Sequence, residues 1–122
     1  MLFRYLVIDD SHVSRALLNG ALDALRPDAL IQEAINCAQA RALLREGSTL
    51  PDAVFCDVVL PDGCGLEFAQ ELRAEYPDLR LALYTSRTED TLREGAAAIQ
   101  ASFLEKPLQI EVLRDMLTLQ PS

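Results

Sequence analysis

The sequence predicts a single α/β domain in which a parallel sheet is covered by helices on both faces. Short apolar runs alternate with helical patterns five times along the chain, and no hairpin turn signal separates one strand from the next. At 122 residues the chain is close to the usual size of one compact domain, and it contains no internal repeat or linker. We therefore expect residues 1–122 to form one domain with five strands and five helices.

The composition is typical of a soluble globular protein, with 50% hydrophobic and 25% charged residues. A formal net charge of -8 without clustered Lys and Arg argues against direct binding of nucleic acid. No apolar stretch approaches the roughly 20 residues of a membrane helix, and the N-terminus lacks a signal peptide's cleavage site. The three cysteines are an odd set that fits a reducing compartment, so we expect a cytoplasmic protein without a membrane partner.

The first strand and helix are indicated by an aliphatic run and by capping signals. The run ends at Asp9 and Asp10, Ser11 can cap the next helix, and Pro27 stops that helix. The expected buried stripe of this helix recurs at spacings of three and four residues: Val13, Ala16, Leu17, Gly20, Ala21 and Ala24. The strands are expected at residues 5–8, 30–34, 53–57, 79–84 and 102–104, and the helices at residues 13–25, 38–45, 65–75, 87–98 and 109–117.

The second and third strands differ in their patterning. Gln32 and Glu33 interrupt the second strand, which is therefore expected at an edge of the sheet, and the Ala-rich helix after it ends at Gly47. The third strand is a continuous apolar run that stops on Asp57, as expected of a buried parallel strand. A Pro/Gly turn then leads into a helix that ends before Pro77.

The last two strands also end on polar residues. The fourth strand stops at Thr85 and Ser86, and the weaker helix after it contains Gly95, which costs roughly 1 kcal/mol relative to alanine. The fifth strand leads into Lys106, the only lysine of the chain, and then into a helix with an apolar stripe.

The C-terminal ends of parallel strands lie at one edge of a sheet, where ligands bind. That edge is expected to collect Asp9, Asp10, Asp57, Thr85 and Lys106. Carboxylates this close repel each other unless a cation lies among them or some remain protonated. Mg²⁺ is the natural cation, because it prefers oxygen ligands and binds through one or two carboxylates together with phosphate oxygens.

A site of this composition suits phosphoryl transfer, which needs an in-line nucleophile, a bridging metal and cations for the developing charge. Asp57 can be the nucleophile and form an acyl phosphate. Lys106 would then pair with one phosphoryl oxygen, and Thr85 would donate a hydrogen bond to another.

The sequence resembles the receiver domains of two-component response regulators over essentially its whole length. Four motifs in the correct order carry the resemblance: Val7-Ile8-Asp9-Asp10-Ser11, Asp57-Val58-Val59-Leu60-Pro61-Asp62-Gly63-Cys64-Gly65-Leu66-Glu67, Tyr84-Thr85-Ser86 and Phe103-Leu104-Glu105-Lys106-Pro107. The resemblance implies a flavodoxin-like, doubly wound α/β fold with five parallel strands in the order 2-1-3-4-5 and five helices.

The resemblance also implies a set of roles at this edge. Asp57 would accept a phosphoryl group from a histidine kinase or a phosphotransfer protein, and Lys106 and Thr85 would sense it. Mg²⁺ would be held by Asp9, Asp10, Asp57 and the backbone carbonyl of Val59.

A two-residue switch is implied in the same way. Thr85 would move toward the phosphoryl group and Phe103 would swing inward, changing the face formed by the fourth helix, fifth strand and fifth helix. That face would bind a downstream protein or a fused output domain. Val59 and Arg87 flank the expected phosphate position, and the glycine that the family commonly has shortly before the aromatic residue is missing from residues 98–102.

Two other classes of function stay open. A small aspartate-nucleophile phosphohydrolase would use the same acids, but the first strand lacks an Asp-x-Asp tip and the chain lacks a cap segment. A phosphorylation-independent interaction module is disfavoured by the intact acids. We expect a switch rather than a turnover enzyme, either as a stand-alone regulator or as part of a longer protein.

Several residues near the site also have ordinary interpretations. Either Asp9 or Asp10 could cap the first helix while the other binds metal through water. Asp62 is expected to be a solvated turn residue, His12 a surface residue of a first helical turn, and Cys64 a neutral position without a redox role.

Overall fold

The computed structural model describes residues 3–47 and 49–118. Its elements, in chain order, are β1 (Arg4–Ile8), α1 (His12–Leu25), β2 (Leu30–Ala34), α2 (Cys37–Glu46), β3 (Ala53–Cys56), β4 (Val59–Leu60), β5 (Gly63–Cys64), α3 (Gly65–Glu75), β6 (Leu81–Thr85), α4 (Asp90–Ala98), β7 (Ser102–Glu105) and α5 (Ile110–Thr118). Among the described residues, no helix is long and apolar enough to cross a membrane.

The main sheet has five parallel strands in the order β2-β1-β3-β6-β7. This is the expected order 2-1-3-4-5, so the flavodoxin-like α/β fold is confirmed, with β2 at an edge as its polar residues indicated. From β1 the chain continues to β2 at one edge of the sheet, and from β3 it continues to β6 and β7 toward the opposite edge. The crevice at the carboxyl ends of β1 and β3 is therefore the expected ligand site.

A short antiparallel hairpin, formed by β4 and β5, was not expected from the sequence. Val59 pairs with Cys64, and Leu60 pairs with Gly63, across a turn at Pro61. Strands of two residues carry too little alternation to form a pattern, so the sequence predicts only a turn for the Pro/Gly segment.

Two element boundaries differ from those expected by more than one residue. The fourth helix of the chain begins at Asp90 rather than at residue 87, because the Arg87 amide donates to Thr85 Oγ1 at 3.1 Å and holds the intervening segment as a loop. The β6 strand begins at Leu81 rather than at residue 79, because the Leu79 amide is bonded within a turn to the carbonyl of Tyr76.

The core has two layers, one on each face of the sheet. Alternation along β1 sends Leu6 and Ile8 into the layer covered by α2, α3 and α4, and sends Tyr5 and Val7 into the layer covered by α1 and α5. Every residue of β3 and of β6 is buried, as expected for central parallel strands. Both faces of these strands are thus fixed, and so are the positions of the residues at their tips.

The prediction of which residues form the buried stripe of α1 was largely wrong. Leu18 and Leu22 pack into the core, whereas Val13 and Leu17 are each 68% exposed. Both pairs have a spacing of four residues, so periodicity alone does not choose between them. Burying two leucines rather than Val13 and the small residues Ala16, Gly20 and Ala24 removes more apolar area from water, and Ala21 is half-buried against the same layer.

Candidate functional site

Three carboxylates meet where β1 and β3 end. Asp9, Asp10 and Asp57 each have an oxygen within 4.8 Å of the others. Asp9 is completely buried and Asp57 is 9% exposed, whereas Asp10 is exposed. The structure thus brings together the three acids expected at this edge, with one open to solvent.

Asp9 is held by donors on both of its carboxylate oxygens. The amide of Ser11 donates to Oδ1 at 2.9 Å, and the hydroxyl of Tyr84 donates to Oδ2 at 2.8 Å. Lys106 Nζ lies 3.2 Å from the same Oδ2 atom. The cap of α1 is Ser11 itself, whose side chain accepts from the amide of Ser14, so neither acid of the pair caps this helix.

The pKa values of the two buried acids are shifted in opposite directions. Burial alone would raise the pKa of Asp9, but hydrogen bonds from Ser14, Ser11 and Tyr84 and the charge of Lys106 outweigh it, so that pKa lies below its ordinary value. Burial raises the pKa of Asp57 above its ordinary value, because the opposing hydrogen bond and charge of Lys106 only partly offset desolvation. Asp9 is therefore the more firmly ionised of the two.

Lys106 bridges the buried acids. Its Nζ atom lies 3.0 Å from Asp57 Oδ2 and 3.2 Å from Asp9 Oδ2, and 4.7 Å from the centre of the Tyr84 ring. The Lys106 amide also donates to the Thr85 carbonyl at 2.9 Å, which ties the end of β7 to the end of β6. The ammonium group of Lys106, at the end of β7, thus balances part of the negative charge of Asp9 and Asp57.

Gly65 is required where α3 begins against the end of β3. A Cβ atom at this position would overlap the carbonyl oxygen of Asp57 and lie 2.8 Å from its carbonyl carbon. The Gly65 amide donates to the Val58 carbonyl at 2.6 Å. Only glycine permits this approach, so the residue fixes the backbone that carries the Asp57 side chain.

The loop that carries Val59 is anchored by Asp62, which is not merely a solvated turn residue. Its carboxylate accepts hydrogen bonds from the amides of Cys37 at 2.9 Å and Ala38 at 3.0 Å, at the start of α2. A carboxylate is favoured there because the first amides of a helix lack partners within it. Two bonds lower the pKa of Asp62, and they join the hairpin to the neighbouring β2–α2 junction.

Thr85 ends β6 and is 2% exposed. Its Oγ1 atom accepts from the Arg87 amide at 3.1 Å, so the hydroxyl is engaged with the loop that leads to α4. Arg87 pairs with Glu89 on the surface of that loop. Thr85 is therefore tied to the loop that precedes α4.

Phe103 is half-buried in β7 and is covered by an arginine from α4. The guanidinium of Arg93 lies 4.7 Å from the centre of the Phe103 ring and forms an ion pair with Glu105. Both partners of this ion pair are about half exposed, with side-chain exposures of 43% and 53%. The aromatic ring is thus held by a surface contact rather than by core packing alone.

The remaining residues singled out in the sequence lie outside these contacts. His12 is an exposed first residue of α1, as predicted. The thiols of Cys37, Cys56 and Cys64 are free, and burial raises the pKa of Cys37 to about 11.

The sequence interpretation missed two side chains that organise the acids. Tyr84 reaches Asp9 past the end of β3, and a signal was available, because a tyrosine in a buried run needs a partner for its hydroxyl. Arg15 donates to the Asp9 carbonyl at 2.7 Å and to Glu33 at 2.9 Å. The helical position of Arg15 gave no comparable signal.

Comparison with known families decides which family this fold belongs to. The family model described as the response regulator receiver domain matches residues 5–118. The chain belongs to this family. It is therefore a receiver domain, the module of two-component signal transduction, as its motifs predicted.

Several curated proteins resemble this receiver domain. It is 33% identical over 111 residues to the sensor histidine kinase CheAY of Helicobacter pylori, covering 88% of the chain and 14% of that protein. It is 36% identical over 99 residues to the DNA-binding transcriptional activator DevR/DosR of Mycobacterium tuberculosis, covering 79% of the chain and 43% of that protein. The chain thus spans less than half the length of these two relatives.

Solved structures share the fold of this receiver domain. A response regulator receiver protein from Pseudomonas putida aligns with a TM-score of 0.85 at 20% identity, covering 98% of both chains. The chemotaxis response regulator CheY4 of Vibrio cholerae aligns with a TM-score of 0.81 at 23% identity, also covering 98% of both chains. At these identities the likeness shows the fold alone.

Receiver domains bind Mg²⁺ in an acidic pocket, and the cluster of Asp9, Asp10 and Asp57 is suited to such an ion. All the converging donors are carboxylate oxygens, which is the chemistry that Mg²⁺ prefers. The exposed Asp10 leaves a side of the cluster open to water, and Mg²⁺ usually keeps several water ligands.

Proposed function

We propose that this receiver domain is a phosphorylation-gated signalling switch in which Asp57 accepts a phosphoryl group in the presence of Mg²⁺. The observation that supports it best is the contact of 3.0 Å between Lys106 Nζ and Asp57 Oδ2, inside a cluster of three acids at the carboxyl edge of the sheet. An acid that could serve as a nucleophile, a cluster that could hold a metal ion and an ammonium group therefore lie within one crevice.

Asp10, Asp57 and the Val59 carbonyl would hold the ion. Asp9 would contribute its charge and act through water, because protein donors already occupy both of its oxygens. When bound, the ion neutralises charge that develops on the oxygens of the transferred phosphoryl group.

Asp57 acts as the nucleophile in this proposal. One of its carboxylate oxygens attacks the phosphorus of a phosphohistidine, the phosphorus–nitrogen bond breaks, and the imidazole leaves with the electron pair. The product is an acyl phosphate on Asp57 and a free histidine on the donor. Lys106 then moves from the carboxylate to a phosphoryl oxygen, which a compact ammonium on a flexible stem can do.

The donor is a histidine kinase or a phosphotransfer protein. Its docking surface would be the exposed apolar pair Val13 and Leu17 on α1, which borders a groove of about 450 Å³ that also contacts Lys106 and Leu108. Tyr84 and Lys106 line this groove and also contact the acid cluster, so a helix that seats its apolar face there would bring a histidine toward Asp57.

The response to phosphorylation is carried by Thr85 and Phe103. Phosphorylation adds roughly two negative charges beside Thr85, whose hydroxyl would turn to donate its proton to a phosphoryl oxygen and so leave the Arg87 amide from which it accepts. The loop into α4 would then shift, and Phe103 would move inward away from Arg93. The face formed by α4, β7 and α5 would change and so alter binding of a downstream protein or a fused output domain.

The whole of residues 1–122 forms this one switch in our proposal, and it does not turn over a substrate. We also propose a cytoplasmic location, which the three free thiols support.

The test is labelling by a small phosphodonor, followed by intact-protein mass spectrometry with and without Mg²⁺. The wild-type chain should gain one phosphoryl group, and Asp57→Asn or chelation of Mg²⁺ should abolish the gain. Asp28→Asn, an exposed turn aspartate between α1 and β2, is the matched control and should label normally. Labelling of Asp57→Asn at the wild-type level would disprove the assignment, and multiple turnovers of a phosphate ester would favour a phosphohydrolase.

A further inference from the structure

Tyr84 contacts both the buried acid and the only lysine of the chain. The residue lies in β6, is 1% exposed, and packs with the core layer under α1 and α5. Its hydroxyl donates to Asp9 Oδ2 at 2.8 Å, and its ring lies 4.7 Å from Lys106 Nζ. One rigid side chain therefore touches two charged groups that lie 3.2 Å apart.

The hydroxyl changes how the charge of Asp9 is satisfied. A buried carboxylate needs hydrogen-bond donors on each oxygen, and Oδ1 already has the amide of Ser11. At Oδ2 the hydroxyl of Tyr84 shares the task with Lys106. Without the hydroxyl, more of the charge at that oxygen would have to be satisfied by Lys106.

Lys106 cannot serve Asp9 alone, because it also contacts Asp57 at 3.0 Å. An ammonium drawn fully to Asp9 would be less free to follow Asp57. A metal ion that enters the cluster has to share these carboxylates with the same ammonium. The neutral donor on Asp9 lowers that competition, while the face of the Tyr84 ring gives the displaced ammonium a favourable neighbour.

We propose that Tyr84 is a positioning residue that pins Asp9 and leaves Lys106 free to move between Asp57 and the phosphoryl group. The proposal deepens the proposed function and rests on it for the role of Mg²⁺. Its two parts are separable: the hydroxyl acts on Asp9, and the ring acts on Lys106.

The first experiment needs no metal. Because Lys106 is the only lysine, NMR of protein with isotope-labelled lysine reports on this side chain alone. The Cε protons of Lys106 should be shifted upfield by the Tyr84 ring in wild type and in Tyr84→Phe, and should lose that shift in Tyr84→Leu. The Nζ resonance should move in Tyr84→Phe as the ammonium turns toward Asp9. Spectra of Lys106 that are identical in all three proteins would overturn the proposal.

The second experiment measures Mg²⁺ binding directly, by titration with the metal alone. Tyr84→Phe should weaken binding by about 10-fold, the usual scale for the loss of an outer-shell partner. The matched control is Tyr5→Phe, because Tyr5 is equally buried but lies in the first half of β1, away from the acids. Tyr5→Phe should bind Mg²⁺ like wild type.

The outcomes separate this proposal from the proposed function. If wild type binds Mg²⁺ and is labelled but Tyr84→Phe matches it in both, the role of Tyr84 is disproved and the switch stands. If wild type neither binds Mg²⁺ nor is labelled, the proposed function fails, whereas the lysine spectra still decide whether Tyr84 holds Lys106. A loss of stability common to both tyrosine variants, without a difference in Mg²⁺ affinity, would assign Tyr84 a purely structural role.

Discussion

The acid cluster and the surface around Phe103 are held in different ways. Asp9 is completely buried and has a donor on each oxygen, and the backbone of Asp57 is packed directly against Gly65. Phe103 is half-buried, and Arg93 covers it from the surface. The two buried acids are thus fixed in advance, whereas the ring of Phe103 is covered by a surface contact that is easily exchanged.

Alanine substitution of two glycines should reveal this contrast most strongly. Gly65→Ala places a Cβ atom against the backbone of Asp57, which cannot retreat, and should cost about 3 kcal/mol of unfolding free energy. Gly95→Ala, in α4, places its Cβ atom 2.6 Å from the flexible end of Leu66, and the gain of about 1 kcal/mol in helix propensity offsets the adjustment. Urea unfolding of both variants measures the difference. Equal costs would mean that the two regions are equally rigid.

Asp57→Asn should stabilise the metal-free protein at neutral pH. Because the folded pKa of Asp57 is raised, its ionisation opposes folding, and this penalty appears as pH rises from the unfolded value toward the folded one. The penalty is fully present above the folded pKa and absent below about pH 4, where Asp57 is protonated in both states. The unfolding free energies of wild type and Asp57→Asn, measured from about pH 4 to neutral pH, should therefore diverge as pH increases.

Mg²⁺ provides the control for the Asp57→Asn result. Added Mg²⁺ should stabilise the wild-type protein more than Asp57→Asn, because a ligand that binds only the folded state raises its stability. A variant less stable than wild type at neutral pH would indicate that the contact with Lys106 outweighs burial.

Asp62→Ala should lower the midpoint of thermal unfolding and loosen the hairpin beside the acids. The change removes both bonds to the amides of Cys37 and Ala38, whereas Asp62→Asn retains an acceptor oxygen and should lose less. Amide hydrogen exchange at Val59 and Cys64 reports the loosening directly. Unchanged exchange in Asp62→Ala would show that the hairpin is held by its own two pairs of residues.

Arg93→Ala should have the smallest effect on stability, about 1 kcal/mol or less, because exposed cation–π contacts and surface ion pairs contribute little. The same change should let the Phe103 ring exchange between orientations, visible as altered aromatic line widths. Labelling of Asp57 by a phosphodonor should keep the wild-type rate. A slower rate would tie the covering arginine to the chemistry and weaken the contrast between the two regions.

The site could be located from the sequence because parallel strands bring their tips to one edge. Asp9, Asp57, Thr85 and Lys106 each follow or end a recognisable apolar run, so their convergence depends only on topology. The partners of these residues depend on more than topology. Tyr84 is 75 positions from Asp9, and their contact is decided by side-chain length and by the width of one intervening strand.

Other features escaped the sequence because they depend on tertiary fit. The choice of Leu18 over Leu17 as a core residue is made by the packing of α1 on the sheet and beside α5, since both leucines fit a helical spacing. Asp62 caps a helix from a loop about 25 residues away, and nothing local distinguishes it from an ordinary turn residue.

The weak attachment of Phe103 has an evolutionary consequence. A substitution at Arg93 or Glu105 changes an exposed contact and so removes little of the margin that keeps a domain folded. A substitution near Asp9 or Gly65 removes much of that stability margin. Lineages that descend from such a domain can therefore diverge around Phe103 while keeping the same acid cluster, because substitutions are tolerated on the exposed surface and removed by selection at the buried cluster.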